Sequence, residues 1–210
     1  MAVDREKVIR TALDLLDEVG LDGLTLRRLA DRLGIRAPTL YWHVKSKQEL
    51  LDEMATTMAR DHPLPLAPGM SWADGIRAGA GSIRAMLLSR RDGAKVFSGT
   101  YVTDDAVLAA QEAPLRLLTD AGFTVEDAVA AWVTVYGFVV GYTIEQQASR
   151  PSGVRDPRYG ETERAARIDP AEAPLAAAAV PAVFTDPDAT FERGLAIIVA
   201  GLTTLRPPAA

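Results

Sequence analysis

The 210 residues include no cysteine, which excludes disulfides, thiol nucleophiles and cysteine-based zinc sites. The two histidines, His43 and His62, leave little imidazole for acid–base work or metal ligation. Asp61 and His62 are neighbours in sequence but do not make a dyad, and no activated nucleophile accompanies them. There is no phosphate-cradling glycine loop and no metal-ligand cluster. No enzyme activity, metal site or cofactor is expected. No run of 18 apolar residues occurs, so no membrane span is expected. The opening Met1-Ala2-Val3-Asp4-Arg5-Glu6-Lys7 is charged and lacks the apolar segment of a signal peptide. These absences fit a cytoplasmic protein. Strand-length alternation is also missing, so the chain reads as all-α.

Lysine is scarce, with four against nineteen arginines, and the net charge is −5. That charge is unevenly placed. Residues 1–48 carry nine basic and seven acidic side chains, giving +2, and the remainder carries −7. The local field decides what a surface attracts, so the N-terminal part suits a polyanion and the acidic body does not.

The stretch from Thr25 to Lys47 reads as two short helices around a tight turn. Leu26, Leu29, Ala30 and Leu33 form one apolar stripe at helical spacing. Thr25 suits the N-cap and Gly34 the stop, while Pro38 suits the first turn of the second helix. Leu40 and Val44 face inward, which turns Thr39, Trp42 and His43 elsewhere. Arg27, Arg28, Arg32, Arg36, Lys45 and Lys47 oppose a single acid, Asp31. A helix-turn-helix with a basic, aromatic second helix reads DNA; the bland alternative is a helical hairpin with a solvated basic face. Ser46-Lys47-Gln48-Glu49 is a capping box that starts another helix at once.

By residue type, Arg27 suits a bidentate contact with guanine. Thr25, Thr39, Tyr41 and Lys47 suit phosphates, as do the N–H groups opening the second helix of the pair. Arg36, Ala37, Pro38, Trp42 and His43 suit base edges or thymine methyls. For Tyr41 and Trp42 the alternative is core packing.

Elsewhere the pattern predicts a first helix from Asp4 to Gly20 and a fourth from Lys47 to Asp61. His62-Pro63-Leu64-Pro65-Leu66-Ala67-Pro68-Gly69 marks a boundary, dividing the chain into residues 1–62 and 63–210. Ser71 caps a helix reaching Arg90, and a short helix covers Asp92–Phe97. A helix from Thr103-Asp104-Asp105 to Ala121-Gly122 is expected to kink at Pro114. Thr124 caps a helix to Gln147 that is apolar nearly all round, so every face needs burial and a partner subunit is implied. Residues 150–187, with Pro151, Gly153, Pro157 and Gly160, read as a partly ordered loop with one irregular helix. A last helix runs from Ala189 to Leu205.

Residues 1–62 resemble the DNA-binding domain of the TetR family of bacterial transcriptional regulators. The run Pro38-Thr39-Leu40-Tyr41-Trp42-His43-Val44-Lys45 is especially similar to the tetracycline-binding branch, and Leu87-Leu88-Ser89-Arg90-Arg91-Asp92-Gly93-Ala94-Lys95-Val96 is similar to that branch's effector domain. The resemblance implies a homodimeric repressor that binds a palindromic operator and is released by a small molecule, with dimerisation through helices 124–147 and 189–205. It implies DNA contacts for Thr25, Arg27, Pro38, Thr39, Tyr41, Trp42, His43 and Lys47. Arg36 and Ala37 depart from the branch's acidic residue and glutamine, so a different operator is expected.

The branch's drug–magnesium site is not reproduced. A histidine ligand is replaced by Phe97, and polar groups by Pro63, Gly79 and Tyr101, although Thr100 and Glu145 match and a one-residue gap would put His62 in place of Pro63. Ile83, Met86, Phe97, Thr100, Tyr101, Trp132 and Tyr136 are expected instead to line an apolar, aromatic pocket. Several of these, Trp132 and Met86 above all, would serve equally as core. The rival readings are a regulator without a small-molecule input, governed by a protein partner or constitutive, and an enzyme or carrier that retains the fold and has lost DNA binding.

Overall fold

The computed structural model describes residues 3–67, 69–150, 156–183 and 186–205. Pro68, Pro151 and Gly153, named above as chain breakers, lie outside the described residues. Among the described residues there are helices and no strand.

Local capping sets the N-terminal elements. α1 (Arg5–Gly23) starts at Asp4, whose carboxylate accepts the Lys7 N–H at 2.8 Å. It does not end at Gly20. The backbone breaks there, at φ 71°, and one further turn follows to Gly23. Thr25 caps α2 (Leu26–Leu33), and Gly34 ends it in the left-handed conformation. α3 (Ala37–Leu40) is only four residues long, and turns carry the winding on to Val44. Ser46 caps α4 (Lys47–Asp61), and Glu49 reaches back to the Lys45 N–H at 2.7 Å. Leu13, Leu16, Leu29, Leu40, Val44, Leu50 and Met54 close the core between these helices. Full burial contributes roughly 1.5–3 kcal/mol for each large side chain.

The body is built from α5 (Trp72–Leu88), α6 (Gly93–Phe97), α7 (Asp105–Ala109), α8 (Glu112–Asp120) and α9 (Val125–Ala148). After these come α10 (Glu161–Ala166), α11 (Pro174–Val183) and α12 (Pro187–Leu202). Pro114 does not kink one helix but separates two. It stands in the first turn of α8, where the missing N–H costs nothing, and the chain between α7 and α8 leaves the helix just before it. Residues 150–187 hold more helix than expected, namely α10, α11 and a 3-10 turn over Pro157–Tyr159. The alanine run explains it, since alanine has the highest helix propensity.

α9 packs on α5, α8 and α12 through Ala128, Ala131, Val135, Val139 and Thr143. Its length and apolarity would suit a membrane span. Within one chain it is not buried all round. Val125, Val129, Val133, Gly137 and Gly141, each four residues from the next, form an exposed stripe. Beside it α12 exposes Ile197, Ala200 and Gly201.

Several contacts tie the halves together behind the DNA-reading elements. The Leu21 N–H donates to Asp92 at 3.0 Å, the Arg91 guanidinium to the Glu18 carbonyl at 3.0 Å, and Arg90 pairs with Asp17 at 2.7 Å. Gln147 fixes the α5–α6 turn: its amide donates to the carbonyls of Leu87 and Arg90 and accepts the Ala94 N–H.

Candidate DNA-reading face and effector cavity

The reading face is made by the ends of α2 and α3. Thr25, Arg27, Arg36, Ala37, Pro38, Thr39, Tyr41, Trp42 and Lys47 are all exposed, and His43 is half-buried. Trp42 is 88 % exposed and Tyr41 51 %, so neither fills core. The inward positions are Leu40 and Val44, both essentially inaccessible. Four residues of helix therefore suffice to present the face, because Leu40 and Val44 anchor each side of the turn that follows.

The arginines of this domain divide by partner. Arg5 holds the His43 carbonyl and the carboxylates of Glu49 and Glu53. Arg10 pairs with Asp61, Arg32 with Glu18, and Arg28 donates to the Gly23 carbonyl at 3.0 Å. Arg27 and Arg36 have no such partner among the described residues. Lys47 rests its ammonium on the Leu21 carbonyl at 3.2 Å. Three carboxyls of this domain are held below their ordinary range, Glu18 by Arg32 and two others. Glu49 is lowered first by the Lys45 N–H and then by Arg5, and Asp61 by Arg10.

A cavity of about 530 Å³ opens between the end of α4, α5, α7 and α9. Ile83, Met86, Phe97, Thr100, Trp132 and Tyr136 line it, as the sequence suggested. Phe97 and Tyr136 approach at 6.5 Å between ring centroids, and a Cβ at Gly79 would lie 3.1 Å from the Trp132 ring, so the glycine lets the indole lie close on α5. Burial pushes the Tyr136 phenol up from its ordinary range.

Tyr101 is a correction. It does not line the cavity, and its side chain is 70 % exposed. The segment around it is non-helical, and side chains alternate in extended chain, so Thr100 and Val102 turn inward and Tyr101 outward. The sequence reading did not name the residues of the other wall beyond His62 and Pro63. That wall is made by Ala59, Arg60, His62, Pro63 and Leu64 at the end of α4, and by Val102, Asp104, Ala106, Val107, Ala110 and Gln111. The one hint in sequence was the gap that aligned His62 with a ligand position.

Residues 101–104 also grip α4. The Tyr101 N–H donates to Asp52 at 3.0 Å and the Thr103 N–H to Thr56 at 3.0 Å, while Arg60 pairs with Asp104 at 2.6 Å. These α4 residues stand four apart. One four-residue helical step rises about 6 Å, close to the roughly 6.6 Å of two extended residues, so strand and helix stay in step over the first two bonds. Asp104 is held below its ordinary range by Arg60 first and by the Ala106 N–H second.

Phe97 offers no metal donor, Thr100 donates its hydroxyl to the Phe97 carbonyl at 2.8 Å, and Glu145 is exposed and does not line the cavity. Among the described residues no three histidine or acidic side chains cluster as a metal set. These residues do not fit a magnesium chelate.

Comparisons with known proteins agree with this architecture. Residues 8–54 match the family described as bacterial regulatory proteins, tetR family, and residues 64–206 match the tetracyclin repressor-like C-terminal domain. The class C tetracycline repressor protein of Escherichia coli is 42 % identical over 207 residues, covering 97 % of this chain and 92 % of that protein. The crystal structure of a possible TetR family regulator from Streptomyces coelicolor A3(2) has a TM-score of 0.87 at 37 % identity, covering 97 % of this chain and all of that one. The Streptomyces coelicolor TetR family protein ActR in complex with actinorhodin has a TM-score of 0.83 at 27 % identity, over 97 % of this chain and 98 % of that one. These relatives are regulators, not enzymes. With a helix-turn-helix domain at one end, a helical body behind it and both family models matched, the chain belongs to the TetR family of transcriptional regulators, as a repressor with both domains of the tetracycline-repressor type.

Proposed function

We propose that this protein binds a palindromic operator as a homodimer and is released from it by a small, mainly apolar, aromatic molecule. In this reading residues 1–62 bind DNA, and residues 63–210 bind the effector and dimerise. Thr25, Arg27, Arg36, Ala37, Pro38, Thr39, Tyr41, Trp42, His43 and Lys47 meet the operator. Two such faces would enter successive major grooves about 34–36 Å apart, or a multiple of that.

One observation carries the proposal: α4 belongs to both sites. Its first turn follows the reading helix, while Ala59, Arg60 and His62 near its other end wall the cavity. A molecule seated against Val102 and Thr100 pushes on a segment bonded to α4 at Asp52, Thr56 and Arg60. Its effect on DNA is set only by its differential affinity for the two states; a 100-fold difference is about 2.7 kcal/mol.

The cavity chemistry indicates the ligand class. Its walls are largely apolar, with polar groups supplied by Thr100, Tyr136, His62 and Gln111 beside Arg60 and Asp104. A small, mainly apolar, aromatic molecule with a few polar groups suits such walls; the relative ActR is known in complex with actinorhodin. A tetracycline–magnesium chelate does not, because Phe97 supplies no ligand. A regulator without a small-molecule input would need no cavity of this size, which weighs against that rival.

The test is fluorescence anisotropy on DNA from the gene's own upstream region, at two salt concentrations, against scrambled DNA. Tight, sequence-dependent binding with a steep salt slope is expected, followed by release with small apolar aromatic molecules but not with tetracycline and magnesium. Operator affinity unchanged by every occupant of the cavity would refute the effector reading.

A further inference from the structure

We propose that Arg36 reads a guanine in each operator half-site, a second arginine–guanine contact beside the one assigned to Arg27. The inference rests on the operator-binding reading and deepens it by naming what the reading helix selects.

The argument begins with the arginines that are already occupied. Residues 3–62 hold seven: Arg5, Arg10, Arg27, Arg28, Arg32, Arg36 and Arg60. Five are held within the protein, by Glu49 and Glu53, Asp61, the Gly23 carbonyl, Glu18 and Asp104. Each would have to give up a bond before meeting DNA. Arg27 and Arg36 give up nothing, since both are exposed and neither has a partner among the described residues. Two guanidinium groups left free on one face are two recognition elements left free.

Position decides what Arg36 meets. It is the residue immediately before α3, with extended backbone at φ −78° and ψ 147°. The N-terminal end of a recognition helix is the part that contacts base edges, and Arg36, at the N-cap of α3, projects from that end. Ala37 and Pro38 follow, short and exposed, so nothing bulky holds this end of α3 away from the groove floor. Thr25, Thr39, Tyr41 and Lys47 are the groups suited to phosphates. An arginine at the groove floor matches guanine O6 and N7 with two parallel hydrogen bonds, a pairing open to no other base. Arg28 and Arg32, equally exposed on α2, stay with Gly23 and Glu18 and read nothing.

The experiment is selection from a randomised palindromic DNA library with the full-length protein, then with Arg36→Ala and Arg27→Ala, followed by affinities at several salt concentrations. The wild type is expected to select two guanine steps in each half-site. Arg36→Ala should lose one of them, lowering the preference for guanine there roughly 5- to 150-fold while the step read by Arg27 keeps its preference. The salt slope should stay unchanged. Uniform weakening across all sequences, with the slope reduced by about 1, would make Arg36 a phosphate contact and overturn the proposal. So would an unaltered preference, or a base other than guanine at the affected step. A wild type that selects nothing would remove the operator reading itself, a failure visible before any variant is made. Arg36 supports no packing, so unchanged helicity and melting of Arg36→Ala are expected and separate lost recognition from lost fold.

Discussion

The backbone N–H of Leu21 donates to the Asp92 carboxylate at 3.0 Å, joining the end of the first helix to the turn before α6. Asp92 holds that position at φ 56°, the one non-glycine residue with positive φ among the described residues. Aspartate tolerates this region better than most side chains. Asp92→Ala removes the acceptor and keeps the strained backbone, so about 1–3 kcal/mol of stability should be lost. Asp92→Asn, which retains an oxygen acceptor and tolerates the same φ, should lose less. Urea denaturation followed by circular dichroism checks both, and equal midpoints for Asp92→Ala and the parent would show that this bond contributes nothing.

The Thr56 hydroxyl is the buried member of the bonds between α4 and residues 101–104. It accepts the Thr103 N–H at 3.0 Å and donates to the Asp52 carbonyl at 2.8 Å. Thr56→Val keeps the shape and strands the Thr103 N–H, so a loss of about 1–3 kcal/mol is expected, with an unchanged denaturant slope. Thr56→Ser should restore most of it, because the oxygen returns. A valine variant as stable as the parent would mean that the segment is held by packing alone.

Acid should loosen the DNA-binding half. Glu49 and Asp61 are lowered in the folded chain from the ordinary values of 4.5 and 3.8. A carboxyl lowered on folding contributes stability that is fully present above its unfolded value and is lost as the pH falls through the folded one. Melting temperature should therefore hold down to about pH 5 and then decline. Glu49→Gln should flatten the decline, since its N–H and guanidinium partners then meet a neutral group. A decline of equal steepness in that variant would assign the acid sensitivity to other carboxyls.

What the sequence disclosed follows the range of the interactions. Thr25, Gly34 and Ser46 act on backbone within a few residues, and the helices they bound stand where the pattern put them. The occupied state of Arg28 and Arg32 depends on Gly23 and Glu18, which only the folded hairpin brings near. The cavity divides in the same way. The lining residues on α5 and α9 were legible through the family resemblance, which places a pocket around those positions. Tyr101 was misplaced because an extended stretch reverses side-chain direction at every residue. The wall from Ala59 to Leu64 meets Val102 and Asp104 across some forty residues of chain, and no local pattern records that pairing.

The exposed stripe on α9 supplies the last test. Val133 is 60 % exposed in the single chain, and a side chain at Gly137 or Gly141 would meet nothing within 4 Å. Apolar and small residues at four-residue spacing let a second helix approach closely, and α12 extends the face with Ile197, 68 % exposed. If two copies meet here, Val133→Asp, at the mouth of the cavity, leaves the core of the isolated chain undisturbed but buries an unpaired carboxylate twice in the dimer, a cost of several kcal/mol. The variant should sediment as a folded monomer at concentrations where the parent is a dimer. Its affinity for a full palindrome should drop toward that for a half-site, since the two reading faces no longer bind as one body. A dimeric Val133→Asp variant with parental operator affinity would place the subunit contact on another face of the body.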